Sequence, residues 1–328
     1  MDGREHQYFI LISAVVPLLG TVAAVALLWD HLVHPADLVV FAVMYVIVGM
    51  GVSIGYHRLL THRSFATSRP LRFLFAAAGA MAGQGQPIIW TAHHRRHHRL
   101  ADKPGDPHSP YGGDRTDLRG AVAGLAHAHL GWLFDRELTS DPIRYCPDVA
   151  RDKDMRFISK HFIAFVVAGI ALPALLGFLL TGTLGGAATG ALWGGLVRFF
   201  LGNHITYAVN SVGHYFGGRR FATPDESRNV AWLALPSFGE AWHNNHHAFP
   251  RSASHGMRWW ELDLSAQVIN GLERLGLVWD VVRIDPELQR QKAESLRRVG
   301  GGRRAPAAPP KPLAERAPRA ATTITDVE

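Results

Sequence analysis

The chain has almost no cysteine: Cys146 is the only one in 328 residues. That excludes an intrachain disulfide framework, a thiolate-ligated iron–sulfur cluster and cysteine-based zinc sites. Cys146 itself reads as a small structural residue. Charge is missing from long stretches. Residues 8–29, 38–55 and 162–184 carry none, and 186–207 is interrupted only by Arg198 and His204. Windows of about 18 or more apolar residues read as membrane spans, so an ordinary soluble fold is excluded. No Ala-X-Ala site closes the first run, and its apolar part is too long for a cleaved signal peptide. Internal repeats are absent as well.

Lys and Arg are absent from the connections 30–36 and 181–185, yet they crowd residues 57–160. Cytoplasmic and external loops differ in this way. The formal net charge of +7 therefore reports topology and contact with anionic lipid or an acidic substrate, and nucleic acid is not an expected partner.

What the chain has in abundance is histidine, with 19 residues. Three clusters stand out: His57-Arg-Leu-Leu-Thr-His62, His94-Arg-Arg-His97-His98 and His243-Asn-Asn-His246-His247. Imidazole is a common ligand for iron, zinc, copper and nickel, and eight are too many for one ion. His94, His97 and His98 are spaced i, i+3, i+4, so one helix face offers all three to adjacent metals. His243, His246 and His247 repeat the device. His57 and His62 lie roughly 140° apart on an ideal helix, so they feed different metals or straddle a helix end. Asn210 and His214, four apart, share a face at the exit of the last span.

The clusters constrain topology. Spans are expected at 8–29, 37–56, 162–184 and 186–207. A fifth apolar stretch, 71–90, carries Arg72, Gln84, Gln86 and Pro87. If it crossed, the first two clusters would sit on opposite faces of about 30 Å of hydrocarbon. It is therefore read as interfacial or buried. The expected fold is all-α: an integral membrane protein with four transmembrane helices in two hairpins and a cytoplasmic helical cap over the metals. Residues 1–300 form one domain with both termini cytoplasmic. Residues 287–299 read as a surface helix, and the Pro/Ala/Arg-rich residues 301–328 as a disordered tail.

Isolated histidines are more often surface or core residues than ligands. That reading holds for His6, His31, His34, His127, His129, His161 and His255. His93 lies off the face of its cluster, and His108 is a candidate to support a ligand from behind. His204, inside a span, is either functional or packed and hydrogen-bonded.

The order His-X4-His, His-X2-His-His, Asn-X3-His, His-X2-His-His around two hairpins resembles the membrane fatty acyl desaturases of the stearoyl-CoA Δ9 type. Gly-Glu-Ala-Trp-His-Asn-Asn-His-His-Ala-Phe-Pro (239–250) is similar to the third box of their bacterial members, and 55–58, 210–214 and 259–261 also match. The resemblance covers about residues 35–275. It implies two iron ions, dioxygen as co-substrate, and a cis double bond made in a saturated fatty acyl chain at Δ9. The implied ligands are His57, His62, His94, His97, His98, His214, His243, His246 and His247, with Asn210 acting through water. It places the protein in the inner membrane of a bacterial cell.

Gln84, Gln86 and Trp90 are candidates to line the acyl slot, and Arg95 and Arg96 to meet an anionic carrier. Acyl-CoA is the first expectation for that carrier, ahead of acyl carrier protein or lipid. In the animal acyl-CoA enzymes Arg-Asp precedes the second box, whereas Ala92-His93 stands here. No His-Pro-Gly-Gly, cysteine cluster or Gly-X-Gly-X-X-Gly occurs, so electrons come from a separate ferredoxin or flavoprotein reductase. A di-iron membrane hydroxylase of alkyl or acyl chains and a histidine-rich metal transporter are the alternatives.

Overall fold

A computed structural model describes residues 15–29, 33–111, 117–135 and 139–300. The start of the first expected span, His6, His31 and the tail at 301–328 lie outside the described residues.

The architecture follows from the apolar segments. Helix α1 is Val16–Trp29, and α2 is Pro35–Met50, running on without a break as a π-helical segment, Gly51–Thr61. Helix α3, Arg69–Ala80, and α4, Pro87–Leu100, divide the fifth apolar stretch. Twelve residues of helix rise only about 18 Å, well short of a bilayer's hydrocarbon. Helix α5 is Leu118–His129, α6 is Lys153–Lys160 and α7 is Phe162–Thr181. Helix α8, Leu184–Gly190, passes through a second π segment, Ala191–Val197, into α9, Arg198–Tyr215. After it come a single turn at Ala231–Ala234, then α10 His243–Ala248, α11 Leu264–Arg274 and α12 Pro286–Gly300. The last extends the surface helix read at 287–299 by a residue at each end.

Three helices are long and apolar enough to cross a membrane: Pro35–Thr61, Phe162–Thr181 and Leu184–Tyr215. The described part of the first expected span, Val16–Leu27, is apolar but shorter. These helices pack on one another through small residues. A Cβ on Gly177 of α7 would collide with the backbone of Gly186. One on Gly51 would meet the backbone of Ala78 and Gly79. Small residues at such crossings let helix backbones approach where hydrophobicity alone gives no preference.

Strands are few among the described residues. Ala66–Thr67 (β1) and Val278–Trp279 (β2) pair antiparallel, Ala66 opposite Trp279. This pairing ties the end of the first cluster to the chain after the third. Arg198 is buried inside α9 and donates to the carbonyls of Gly194, Met81 and Gly169 at 3.1, 3.1 and 2.8 Å. Its guanidinium thereby holds the turn between α3 and α4 against the long helices.

Candidate metal centre

The four motifs arrive from four directions: the π segment after α2, helix α4, the end of α9, and α10. Their ligand atoms fall into two sets. His57, His62, His94, His98 and His246 form one, His97, His214, His243 and His247 the other, each with its ligand atoms within 4.8 Å of one another. Within each cluster the i, i+4 pair stays together and the i+3 residue crosses over: His94 and His98 share a set that His97 leaves, and His243 and His247 share a set that His246 leaves. Each of these two helices therefore feeds both sets.

His57 and His62 belong to the same set. The α-helical separation of 140° does not apply, because the segment bonds i to i+5. His62 N–H donates to the His57 carbonyl at 3.1 Å. A π turn stacks residues five apart on one face.

The imidazole Nε2 atoms converge. His57 lies 3.1 Å from His246, His94 3.0 Å from His98, His214 3.0 Å from His243, and His97 3.3 Å from His247, all measured between Nε2 atoms. Four carboxylates stand behind them. His97 Nδ1 pairs with Asp106 at 2.9 Å, His214 Nδ1 with Asp102 at 2.8 Å and His247 Nδ1 with Asp225 at 3.0 Å. His57 Nδ1 contacts Glu240. A carboxylate that accepts a hydrogen bond from Nδ1–H fixes the tautomer and aims the Nε2 lone pair at the shared space.

The charge states agree with that geometry. Burial first, and neighbouring imidazoles second, push His62, His94, His98, His243, His246 and His247 well below the usual imidazole range. A lowered pKa favours the neutral ring, the form that can offer a lone pair to a metal. Burial alone would raise Glu240, but His57, Arg58 and His255 hold it well below the ordinary carboxylate range. Asp106 is held down in the same way by His97. A buried His62 Nε2 without a hydrogen-bond partner completes the picture. An all-imidazole donor set of this kind fits borderline transition metals such as iron.

A cavity of about 620 Å³ opens against both sets through His57, His94 and His243. Volumes of this order are typical of small-molecule sites. One wall is Tyr45, Val48 and Gly49 of α2 with Val52, Ser53 and His57 of the π segment, and the α9 face supplies Phe199, Asn203, Thr206 and Asn210. Both follow helical i, i+3, i+4 spacing.

Residues 35–279 match the fatty acid desaturase family. The chain belongs to that family. Among its relatives is the hex-5-enoyl-[acyl-carrier protein] acetylenase of Moorena producens (strain JHB), 41% identical over 282 residues, 86% of this chain and 87% of that protein. The sn-1 stearoyl-lipid 9-desaturase of Anabaena variabilis is 39% identical over 238 residues, 72% of this chain and 80% of the relative. The acyl-CoA C20 Delta5-desaturase of Anemone leveillei is 37% identical over 253 residues, covering 76% and 74%.

Other candidate residues of this desaturase are placed unevenly. Gln84, Gln86, Trp90 and Asn210 line the cavity. Gln84 Nε2 donates to Thr206 Oγ1 at 2.9 Å, and the Trp90 ring stacks on His94 at 5.1 Å. Arg95 and Arg96 do not line it. Arg95 is engaged by Asp148 and by the carbonyls of Leu60 and Thr61, and Arg96 by the carbonyls of Gly105 and Thr139. His108 is buried, its ring 4.4 Å from His97. His93 bonds Ser140 at 3.1 Å. His204 pairs with His129 at 2.9 Å, the packed, hydrogen-bonded alternative.

Sequence reasoning missed the carboxylates. Glu240, three residues before His243, carried a positional signal; Asp102, Asp106 and Asp225 sit in loops whose spacing carries none. It also gave His255 too little. That residue is fully buried, its ring 4.4 Å from His246 and its Nδ1 3.5 Å from Glu240. Arg58, equally buried, bonds Asp263 at 3.2 Å and closes this network behind His57.

Proposed function

We propose that this desaturase holds two irons and uses dioxygen to remove two hydrogens from a saturated acyl chain, leaving a cis double bond at Δ9. The cavity carries this reading: one apolar slot touches both imidazole sets at once. His57, His62, His94, His98 and His246 hold one iron; His97, His214, His243 and His247 hold the other, and Asn210 holds a bound water. The bound irons supply the oxidising power that breaks an unactivated methylene C–H bond at the expense of dioxygen.

The chain's own residues position the substrate. Val48, Val52, Phe199 and Trp90 exclude water and press the acyl chain against the imidazoles. The Gln84–Thr206 bond at the lining of the slot, with Trp90, sets where the chain bends. Holding the reacting carbons in one place gives the reaction its position. The balance is one saturated chain, one dioxygen, two electrons and two protons giving one double bond and two waters. A separate ferredoxin or flavoprotein reductase supplies the electrons.

The topology we assign is four spans, with α3 interfacial and the metal cap cytoplasmic in a bacterial inner membrane. The short α3 and the shared location of the histidines support it. The carrier lies outside the slot, where Lys160 at the lining is suited to an anionic group, as CoA, acyl carrier protein and phospholipid all are.

The test is expression in a desaturase-deficient host with fatty acid analysis, followed by assay of purified protein on acyl-CoA, acyl carrier protein and lipid. A monounsaturated product that disappears with His94→Ala, and iron in the purified protein, are the expected results. A hydroxylated product would make the protein a hydroxylase, and metal transport without a lipid product would make it a transporter.

A further inference from the structure

Residues 229–239, between α9 and the third histidine cluster, contain no charged side chain. They form a short helix, Ala231–Ala234, and a tight turn that comes back to Glu240. Its two faces differ. Leu233 and Ala234 pack inward with Val230, Ala241 and Trp242, and Pro236, Ser237 and Phe238 line the cavity. Trp232 and Leu235 face outward, 70% and 57% exposed. In a water-facing loop, those are the residues that would be expected to be polar.

The depth of this segment follows from its contacts with α2. Tyr45 Oη donates to the Pro236 carbonyl at 2.7 Å, its ring lies 5.4 Å from Phe238, and a Cβ on Gly49 would overlap the Phe238 ring. The helix Pro35–Thr61 has 27 residues, about 40 Å at 1.5 Å per residue. Tyr45 and Gly49 sit about 15 and 21 Å from its start. Wherever about 30 Å of hydrocarbon is laid along that length, both fall inside it. The segment bonded to Tyr45 lies at the same level, and beside it Val43, Val46 and Ile47 of the same helix are exposed.

The backbone is built for such a place. Irregular chain survives in lipid only where its polar groups are satisfied internally. Here Leu233, Ser237, Phe238, Gly239 and Glu240 donate to the carbonyls of Val230, Leu233, Leu235, Ala234 and Ser237, at 2.8–3.2 Å. Pro236 has no N–H to satisfy. Next to this patch Trp260 stands against Trp242, which packs with Leu233, at 5.5 Å with Arg258 over its ring at 5.6 Å, and Trp259 is 97% exposed. Tryptophan with arginine is the composition of the membrane–water boundary.

We infer that residues 231–238 are a wedge of the cap inserted into the hydrocarbon of the bilayer, with Trp259 and Trp260 at the boundary, so that lipid covers Trp232 and Leu235. The wedge is then the lipid-side wall of the cavity, a membrane contact separate from the spanning helices. The inference rests on α2 crossing the bilayer.

The experiment uses the full-length protein in phosphatidylcholine vesicles, with Cys146→Ala to remove the native thiol. Nitroxide labels are placed singly at Trp232→Cys, Leu235→Cys, Val46→Cys as the lipid reference and Arg290→Cys as the water reference. Power-saturation EPR compares collision with dioxygen, which concentrates in lipid, against chromium oxalate, which stays in water. Positions 232 and 235 should give dioxygen-to-chromium ratios several-fold above that at 290 and close to that at 46. Ratios matching position 290 overturn the wedge. Shielding from both reagents also overturns it, because protein would then cover the patch. A water-like ratio at position 46 overturns the span itself, and the wedge with it. Either labelled position suffices if the other variant fails to fold.

Discussion

Asp225 Oδ2 lies 3.0 Å from His247 Nδ1, and both residues are buried. Asp225 is not near a histidine in sequence, yet it decides which nitrogen of His247 faces the second imidazole set. Burial would raise this carboxyl, but Ser227, His214 and Thr223 hold it below the ordinary range. Replacing Asp225 with Asn keeps the shape and removes the charge. Iron affinity should fall by roughly 10–100-fold, measured by competition with a chelator. Unchanged affinity would show that Asp225 only packs.

The two imidazole sets can be separated. His62→Ala removes a proposed ligand from the first and His214→Ala one from the second. Each variant should drop from about two irons per chain to about one, by elemental analysis, because each set keeps the other's ligands intact. A pair of variants that each lose all iron would mean one coupled site.

Acid should release the metal and loosen the fold together. Burial holds His94, His98, His246 and His247 below the unfolded imidazole value of about 6.5. Below that pH the unfolded chain takes up protons that the folded chain refuses, so stability falls as pH falls. Glu240 and Asp106, whose pKa values are also depressed, add to the loss below about pH 4. Thermal midpoints of the iron-free protein should decline steadily from pH 7 to pH 5. A midpoint that rises over this interval contradicts the neutral, buried imidazoles.

Arg198→Met leaves the carbonyls of Gly194, Met81 and Gly169 without their donor. Buried acceptors left unsatisfied cost about 1–3 kcal/mol each before relaxation. The thermal midpoint in detergent should fall by roughly 5–10 °C, with Arg198→Lys recovering only part of it. An unaffected midpoint would mean the turn between α3 and α4 is held by packing alone.

Gln84→Ala breaks the bond to Thr206 at the cavity lining. On the proposed reading an acyl chain in the slot would then gain freedom, so products should spread over neighbouring double-bond positions, read by mass spectrometry of derivatised lipids. Iron content should not change, because neither residue belongs to an imidazole set. A single product position would assign the register to Trp90 instead.

The histidine boxes were legible because helical spacing is a local property: His94, His97 and His98 share a face on any α-helix. So were the three long apolar helices, since the absence of charge is itself the signal. His57 and His62 were less clear, because a π turn depends on how α2 packs against α3 and not on the four residues between them. The same limit hid the carboxylates. Asp102 is 112 residues from His214 and Asp225 is 22 from His247, and only folding makes them neighbours.

By itself the sequence determined that a membrane chain would present imidazoles at helical intervals, because periodicity and hydropathy are written residue by residue. The tertiary structure alone decided how nine histidines divide into sets of five and four, which carboxylates stand behind four of the rings, and that one slot meets both sets. Those relations join residues from separate helices, and packing fixes the distances between them.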